Sequence, residues 1–526
     1  MSAATTLSRV TGFVRMWATA FALGATGLMS AYSVANNIPN MVFELVAGGI
    51  IASLFIPTFM ELREQDGEAG AWRFASHAFN LALIALGTIA LVGTLFPWPF
   101  IWTQTFRFDP GTAVEIRTTA AYFFRFFAIQ IVIYGAGTIL SALLNARRKY
   151  LWPALGPVFN NIVVIATMFA FAALRDNLPL ARVVLAVGTT LGVVAMFGVQ
   201  VPSLVRSGIT YTRGTGFGDP AVRRMLALAV PTLIYVLTNI AAVSVRNASA
   251  FAVSDDGPSI LLYAWTFYQL PYGILAVALA TAVFTELSEA AGRRDWGAFK
   301  HTFAGGLRST TILILPTSAV VVALARPLVS LYRVGEFTAS DVPRVAHALQ
   351  WWAAGLVFYA STMFVLRTFY SLKDTKTPMS VNLALTGVQI ALYLVLTTGI
   401  ARWNGLGING IPIADAAFFA LSFFTLAYLM RKRVGGFDAR GIAWMFVRVT
   451  AASIVGGVFA WLVAEALASV TEGVMGALLQ VFAGGCVGLA IALVLSRLFG
   501  VREVSVFTGM VSRFVRRRRD RKGAGS

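Results

Sequence analysis

The sequence predicts an all-α polytopic membrane protein of about 14 transmembrane helices, built as two pseudo-symmetric six-helix bundles plus two C-terminal helices. Three observations carry that expectation. Of 526 residues, 58% are hydrophobic and only 12% charged, against about 25% charged in an average soluble chain. The mean hydropathy is +0.75. Apolar runs of about 20 residues, enough to cross a bilayer core, recur along the whole chain. A β-barrel would instead show short alternating segments.

The spans are expected near 6–32, 38–62, 75–104, 115–145, 152–174, 179–205, 223–252, 259–289, 301–330, 343–371, 378–401, 408–430, 441–467 and 474–498. The first two are joined by a short uncharged turn near Asn36-Asn37-Ile38-Pro39-Asn40. The segment Leu143 to Pro153 ends one span and opens the next, and Thr368 to Pro378 does the same about 225 residues later. Asn36–Glu61 has a weaker partner in Gln269–Glu286, at an offset of about 232. Nearly equal offsets imply two parallel halves, and in such transporters the substrate site lies between the repeats. The domains are therefore expected at 1–206 (N-terminal bundle), 207–222 (cytoplasmic linker with Gly214, Gly216, Gly218 and Pro220), 223–432 (C-terminal bundle), 433–500 (two extra helices) and 501–526 (basic cytoplasmic tail).

The net charge of +19 suits cytoplasmic loops better than nucleic acid, because Lys and Arg accumulate on the inner side of membrane proteins. An even span number places both termini on one side. With the tail inside, inner loops hold about threefold more Lys and Arg than outer loops, which hold Arg107, Arg117, Arg175 and Arg333 among others. Arg516 to Lys522 then reads as a stop signal and a contact for anionic lipid. Met1 runs almost directly into the first span, so no signal peptide is expected. Cys486 is the single cysteine and His77, His301 and His347 lie far apart, so neither a disulfide within the chain nor a metal site is expected.

Two arginines sit in the first helix, where a charge costs at least about 2.5–3.5 kcal/mol at the centre. Ser8, Gly12, Arg15 and Thr19 share one narrow stripe at helical spacing. Arg15 lies roughly 10 Å deeper than Ser8. Arg9 is rotated toward the inner mouth, where it binds substrate or snorkels to the interface. Arg246 occupies span seven, at the start of the second half as Arg15 is at the start of the first. It either faces Arg15 across a central cavity or pairs with Asp255-Asp256 at the outer edge. Glu44 is the main membrane carboxylate, read as a structural ion pair with Arg15 or as a carrier of a coupling proton. Asn37, Pro39, Asn40 and the neutral Gln269 are candidate gating positions beside it. A guanidinium is planar, always charged and gives paired hydrogen bonds, so a cavity lined by several suits a pyrophosphate. No nucleophile elbow, ATP-binding loop or metal-ligand cluster is present in the sequence, so the chain reads as a transporter and not an enzyme, without cofactor, driven by an ion or the membrane potential.

The segments Ser8 to Arg15, Ile38-Pro39-Asn40, Phe55-Ile56-Pro57, Leu144-Asn145, Pro153-Ala154, Asn161, Pro271 to Leu279, Tyr332 to Thr338 and Phe369 to Pro378 together resemble the MurJ (MviN) lipid II flippase family. That family belongs to the multidrug/oligosaccharidyl-lipid/polysaccharide exporter superfamily. The resemblance covers about residues 5 to 430, and the two extra C-terminal spans are a family trait. It implies a V-shaped pair of bundles around a cationic cavity. It implies flipping of undecaprenyl-pyrophosphate-linked peptidoglycan precursor from the inner to the outer leaflet of the bacterial cytoplasmic membrane, with a lipid-tail groove on the last two helices. Family positions important for function fall on Ser8, Arg9 and Arg15. Membrane lipids are implied partners, and cell-wall synthesis proteins are candidate ones.

Other positions depart from the family. Met16 replaces an acid, Phe43-Glu44 and Thr266 stand where basic residues are usual, and Asn37 replaces a common lysine. Arg246 is then a candidate replacement for the missing charges. Some members hold sodium through acids in spans seven and eleven; no carboxylate lies within 378–401, so sodium coupling is not expected. The altered cluster keeps a second reading open, a flippase for another polyprenyl-pyrophosphate saccharide. A third is an antiporter for small organic cations, which buried arginines and fourteen spans disfavour. An inert scaffold for cell-wall enzymes is the fourth.

Overall fold

The structure, a computed structural model, describes residues 2–44 and 54–501. It is all-α; among the described residues the only β-type pairing is an isolated bridge between Ile400 and Trp403. The chain packs as two units. The first is Met1–Ser259 with Val334–Thr338, and the second is Ile260–Arg333 with Ala339–Ser526.

The first unit opens with α1 (Ser2–Leu23) and α2 (Gly27–Glu44), and continues through α3 (Ile56–Gln65), α4 (Gly67–Leu95), α5 (Pro97–Thr105), α6 (Pro110–Ala146), α7 (Leu151–Ala173), α8 (Leu178–Gly198), α9 (Val201–Val205) and α10 (Pro220–Phe251). Asx caps start three of these helices. Asp109 accepts from Gly111 N at 2.8 Å, Asn177 from Leu180 N at 3.3 Å, and Asp219 from Ala221 N at 2.9 Å. Each is followed by a proline at the first or second helical position, where a missing N–H costs nothing. The helices pack on an apolar core that includes Phe55, Phe59, Trp72, Phe74 and Ile131. The linker is strapped to α4. Asn80 Nδ2 donates to Gly214 O at 2.8 Å, Thr212 N to Ser76 Oγ at 3.1 Å, and His77 Nδ1 lies 2.8 Å from Asp219 Oδ2.

The excursion Val334–Thr338 belongs to the first unit through α1. Glu336 N donates to Phe21 O at 3.1 Å. A Cβ on Gly335 would stand 2.3 Å from Phe21 O, and one on Gly24 would stand 2.4 Å from Glu336 O. Both glycines have positive φ, +56° and +61°, so close approach and left-handed backbone both require glycine here.

The second unit holds α11 (Gly257–Pro271), α12 (Val277–Gly292), α13 (Trp296–Ala323), α14 (Ala325–Ser330), α15 (Asp341–Ala354), α16 (Leu356–Ser371), α17 (Lys376–Thr398), α18 (Gly410–Val434), α19 (Ala439–Ala468) and α20 (Gly473–Leu498). A π turn, Tyr272–Ala276, joins α11 to α12 directly after Pro271. Proline removes one helical hydrogen bond, and a π turn absorbs the resulting mismatch. Helices α15 and α16 bend by 47° at the residue between them, Gly355. Phe299, Phe303, Leu307, Phe364, Phe369 and Met430 form its core. Helices α19 and α20 pack backbone to backbone: a Cβ on Gly488 would lie 2.7 Å from Ala460 Cβ, and one on Gly456 would lie 2.5 Å from Gly488 O. Small residues permit this approach, which substitutes for a hydrophobic driving force inside lipid.

Ten helical segments among the described residues are long and apolar enough to cross a membrane, and twelve if two bent pairs each count as one span. The expected first turn is corrected. Asn36 to Asn40 lie inside α2, and the turn falls at Gly24, twelve residues earlier than Asn36. Pro39 is tolerated within the helix, and the Asn40 side-chain amide donates to Asn36 O at 2.7 Å. This bond is an extra one to a helical carbonyl; the carbonyl that Pro39 leaves without its helical donor is that of Ala35, four residues back. Residues 45–53 of the second expected span (38–62) and residues 502–526 of the expected basic tail lie outside the described residues. Packing divides the chain after Ser259, one helix later than the sequence repeat, because α10 packs on α5, α4 and α2.

Candidate functional site: the arginine face of the first unit

Helix α1 is placed by α7. Asn161 Nδ2 donates to Thr11 Oγ1 at 2.9 Å and to Ser8 O at 3.3 Å. Gly12 adjoins the same amide, its Cβ position lying 3.7 Å from Asn161 Nδ2. The stripe Ser8–Gly12–Arg15–Thr19 is therefore partly a packing seam. Thr19 is buried and donates its hydroxyl to Arg15 O at 2.9 Å. Ser8 is half-buried and Arg9 exposed.

Arg15 is half-buried. Its charge acts on two buried phenols, Tyr32 of α2 and Tyr134 of α6. Tyr32 OH is 3.0 Å from Thr189 Oγ1, and its ring meets Phe123 and Phe127 edge-on. Phe43, standing where the family resemblance leads one to expect a base, packs on Tyr134 with ring centroids 4.8 Å apart. Arg15 thus lies within electrostatic reach of these two phenols, and no carboxylate of the described residues forms an ion pair with it. A guanidinium held this way presents its donors to an oxyanion.

Arg246 and Glu44 also lie in the first unit. Glu44 is exposed at the end of α2, and the charge acting on it is that of Arg246. No ion pair joins Arg15 to Glu44 among the described residues. The neighbours of Arg246 in α10 are fixed by α5: Gln104 Nε2 donates to Ser244 Oγ at 2.6 Å, and Asn247 Nδ2 donates to Gln104 Oε1 at 2.9 Å. Asn37 and Asn40 are half-buried and Pro39 is buried.

The second unit is described separately. Gln269 hydrogen-bonds Tyr359, whose ring lies 4.5 Å from that of Tyr272 at the π turn. Thr266 donates its hydroxyl to Leu262 O at 3.0 Å, within its own helix. Ionisable residues within the apolar spans that sequence reasoning passed over include Arg367 and Asp415. Arg367 of α16 donates to Thr281 Oγ1 at 2.9 Å and Val277 O at 3.4 Å. Asp415 of α18 is 3% exposed. It accepts from Trp352 Nε1 and Gln389 Nε2, each at 2.8 Å, and from Tyr393 OH. Both lie in mid-sequence apolar spans, and a full inventory of intramembrane charges finds them. Among the described residues no group of three or more His, Cys, Asp or Glu side chains could hold a metal.

Comparison with known proteins gives the family. The family model described as lipid II flippase MurJ matches residues 19–479. The chain is 28% identical over 473 residues to the lipid II flippase MurJ of Burkholderia cenocepacia, covering 88% of each. It is 28% identical over 439 residues to the probable lipid II flippase MurJ of Thermotoga maritima, covering 82% of this chain and 84% of that one. A solved lipid II flippase MurJ in an inward closed conformation superposes with a TM-score of 0.77 at 22% identity, over 95% of this chain and 98% of that one. An inward-facing MATE multidrug transporter of the MOP superfamily follows with a TM-score of 0.67 at 17% identity, over 82% and 94% of the two chains. The last two likenesses concern fold alone. The family match spans both units and includes Tyr32, Glu44, Arg246, Arg367 and Asp415. This chain belongs to the lipid II flippase MurJ family.

Proposed function

We propose that this protein is a lipid II flippase. It moves the undecaprenyl-pyrophosphate-linked peptidoglycan precursor from the inner to the outer leaflet of the bacterial cytoplasmic membrane by alternating access, with both termini cytoplasmic and fourteen spans. Family membership over most of the chain supports the cargo class. The observation that carries the mechanism is Arg15, a half-buried guanidinium whose charge reaches Tyr32 and Tyr134, with no described carboxylate paired to it. Its charge is compensated when a pyrophosphate arrives, and the paired donors of the guanidinium fit phosphate oxygens. Arg246, with Glu44 in its field, is a second contact for the anionic cargo, and Ser8 and Arg9 lie toward the mouth of the same helix. The membrane potential is the proposed drive, since moving one charge yields about 2.3 kcal/mol per 100 mV.

The test is growth of a bacterium depleted of its own lipid II flippase. Rescue by the wild type, loss of rescue in Arg15→Ala and weaker rescue in Arg246→Ala are expected at equal membrane expression. No rescue by a well-expressed wild type overturns lipid II as cargo. Transport that continues unchanged after the potential is collapsed overturns the drive.

A further inference from the structure

A cavity of about 450 Å³ opens in the second unit, lined by Lys300, His301, Ala304, Gly305, Arg308, Phe437 and Asp438. It lies where the first turns of α13 meet the α18–α19 connection. Three of its seven lining residues carry basic side chains and one carries a carboxylate. That carboxylate is already engaged. Asp438 Oδ2 takes Arg308 Nη2 at 2.5 Å, and Oδ1 caps α19 by accepting Gly441 N at 2.9 Å. Lys300 Nζ has one long contact, 3.3 Å to Gly435 O, and an ammonium has three protons to donate. The floor is apolar, with Phe437 packed edge-on against Phe303 at 4.9 Å. The room is real at Gly305, where an added Cβ meets nothing within 4 Å.

The surroundings set the depth of this cavity. Arg448 stacks over the exposed ring of Trp444 at 5.1 Å, and Lys432 over that of Tyr428 at 4.7 Å. Trp296, at the start of α13, is exposed. Tryptophan, tyrosine and snorkelling cations gather at the level of lipid headgroups. Arg431, Lys432 and Arg433 form the last turn of α18, just before the connection that carries Phe437 and Asp438. Basic pockets between membrane helices at this level receive anionic headgroups, and the volume falls in the range of about 300–1,000 Å³ usual for small-ligand sites.

We propose that this cavity binds the phosphodiester headgroup of an anionic phospholipid, with Lys300 and Arg308 on the phosphate and Gly305 and Phe437 beneath it. No residue of the cavity belongs to the arginine face of the first unit, so this lipid is a resident of the flippase and distinct from its cargo.

Native mass spectrometry of the full chain in detergent tests it, with phosphatidylglycerol, phosphatidylethanolamine and inorganic phosphate as probes. Phosphatidylglycerol is expected to bind more tightly than phosphatidylethanolamine. Lys300→Met is expected to weaken its first binding step about tenfold, the loss of one hydrogen bond to a charged group. Gly305→Leu fills the cavity without changing charge and is expected to do the same, while the lipid-free melting temperature holds. Displacement of phosphatidylglycerol by millimolar phosphate supports the same phosphate chemistry with the free ion as a competing source; no displacement supports a ligand that also needs its acyl chains. Equal binding of the two lipids, or unchanged phosphatidylglycerol binding in Gly305→Leu, overturns the proposal.

Discussion

Arg175 and Glu336, 161 positions apart in sequence, form a 2.7 Å ion pair in the first unit, and the same guanidinium donates to Phe21 O at 3.2 Å and Ala22 O at 2.8 Å. The arginine thus satisfies carbonyls that α1 leaves open at its C-terminus, where a cation also meets the negative end of the helix dipole. Arg175→Ala is expected to destabilise the protein by about 1–3 kcal/mol, because carbonyls lose charged donors. Glu336→Gln is expected to cost only about 0.2–1 kcal/mol, the range of an exposed pair; its carboxylate side chain is 49% exposed. Thermal unfolding in detergent checks the order, and equal losses would refute the capping role.

Asp415 tests a second buried network. In Asp415→Asn one carboxylate oxygen becomes an amide donor, yet Trp352, Gln389 and Tyr393 all donate toward it. One buried donor then faces another, at a cost of about 1–3 kcal/mol. A melting temperature matching the wild type would show that the network rearranges freely.

The linker strap is expected to weaken in acid. Burial pushes the Asp219 carboxyl up, but the His77 hydrogen bond and the N–H groups of Ala221 and Val222 outweigh it and hold it below its ordinary value. A depressed folded value means that the stabilisation is present above the unfolded value of about 3.9 and is lost as pH falls through the folded one. Melting temperature followed downward from pH 6 should fall less steeply in Asp219→Asn than in the wild type. Parallel curves would exclude Asp219 as a source of the slope.

The α19–α20 seam distinguishes two glycines of α20 three residues apart, Gly485 and Gly488. Gly488→Leu drives a side chain into Ala460 and the Gly456 carbonyl and should cost about 1–3 kcal/mol. At Gly485 an added Cβ meets its nearest neighbour, Leu324 Cδ1, only at 4.0 Å, and Gly485→Leu is expected to cost less than Gly488→Leu. Equal sensitivity of the two positions would contradict the packing.

For Arg15, Arg15→Lys keeps the charge and loses the planar fork. Growth rescue intermediate between wild type and Arg15→Ala is expected, with cargo affinity about tenfold lower for one lost hydrogen bond to a charged group. Full rescue by the lysine variant would mean that only charge matters at this position.

Much of the fold was legible because a bilayer demands long apolar segments, and these are written locally. The expected span 441–467 appears as Ala439–Ala468, and 474–498 as Gly473–Leu498. The first turn was misplaced because Asn-Asn-Ile-Pro-Asn carries loop chemistry in water, whereas within α2 Asn40 caps the carbonyl of Asn36 itself. Arg15 was legible as an isolated charge in an apolar helix. Its phenolic surroundings were not, since Tyr32 and Tyr134 come from two other helices. Asp415 was passed over, and its meaning depends on donors from α15 and α17 that no local pattern brings together.

The five-residue excursion Val334–Thr338 makes the chain pass between its packing units three times, after Ser259, Arg333 and Thr338. Duplication of an ancestral six-helix module would leave a single crossing at the join. A fragment ending at the repeat boundary near residue 206 would therefore lack both α10, which covers α5, and the clip that closes the end of α1. The packing units of this protein do not coincide with the halves expected from the sequence repeat, and cutting the chain at the linker should yield pieces that need each other to fold.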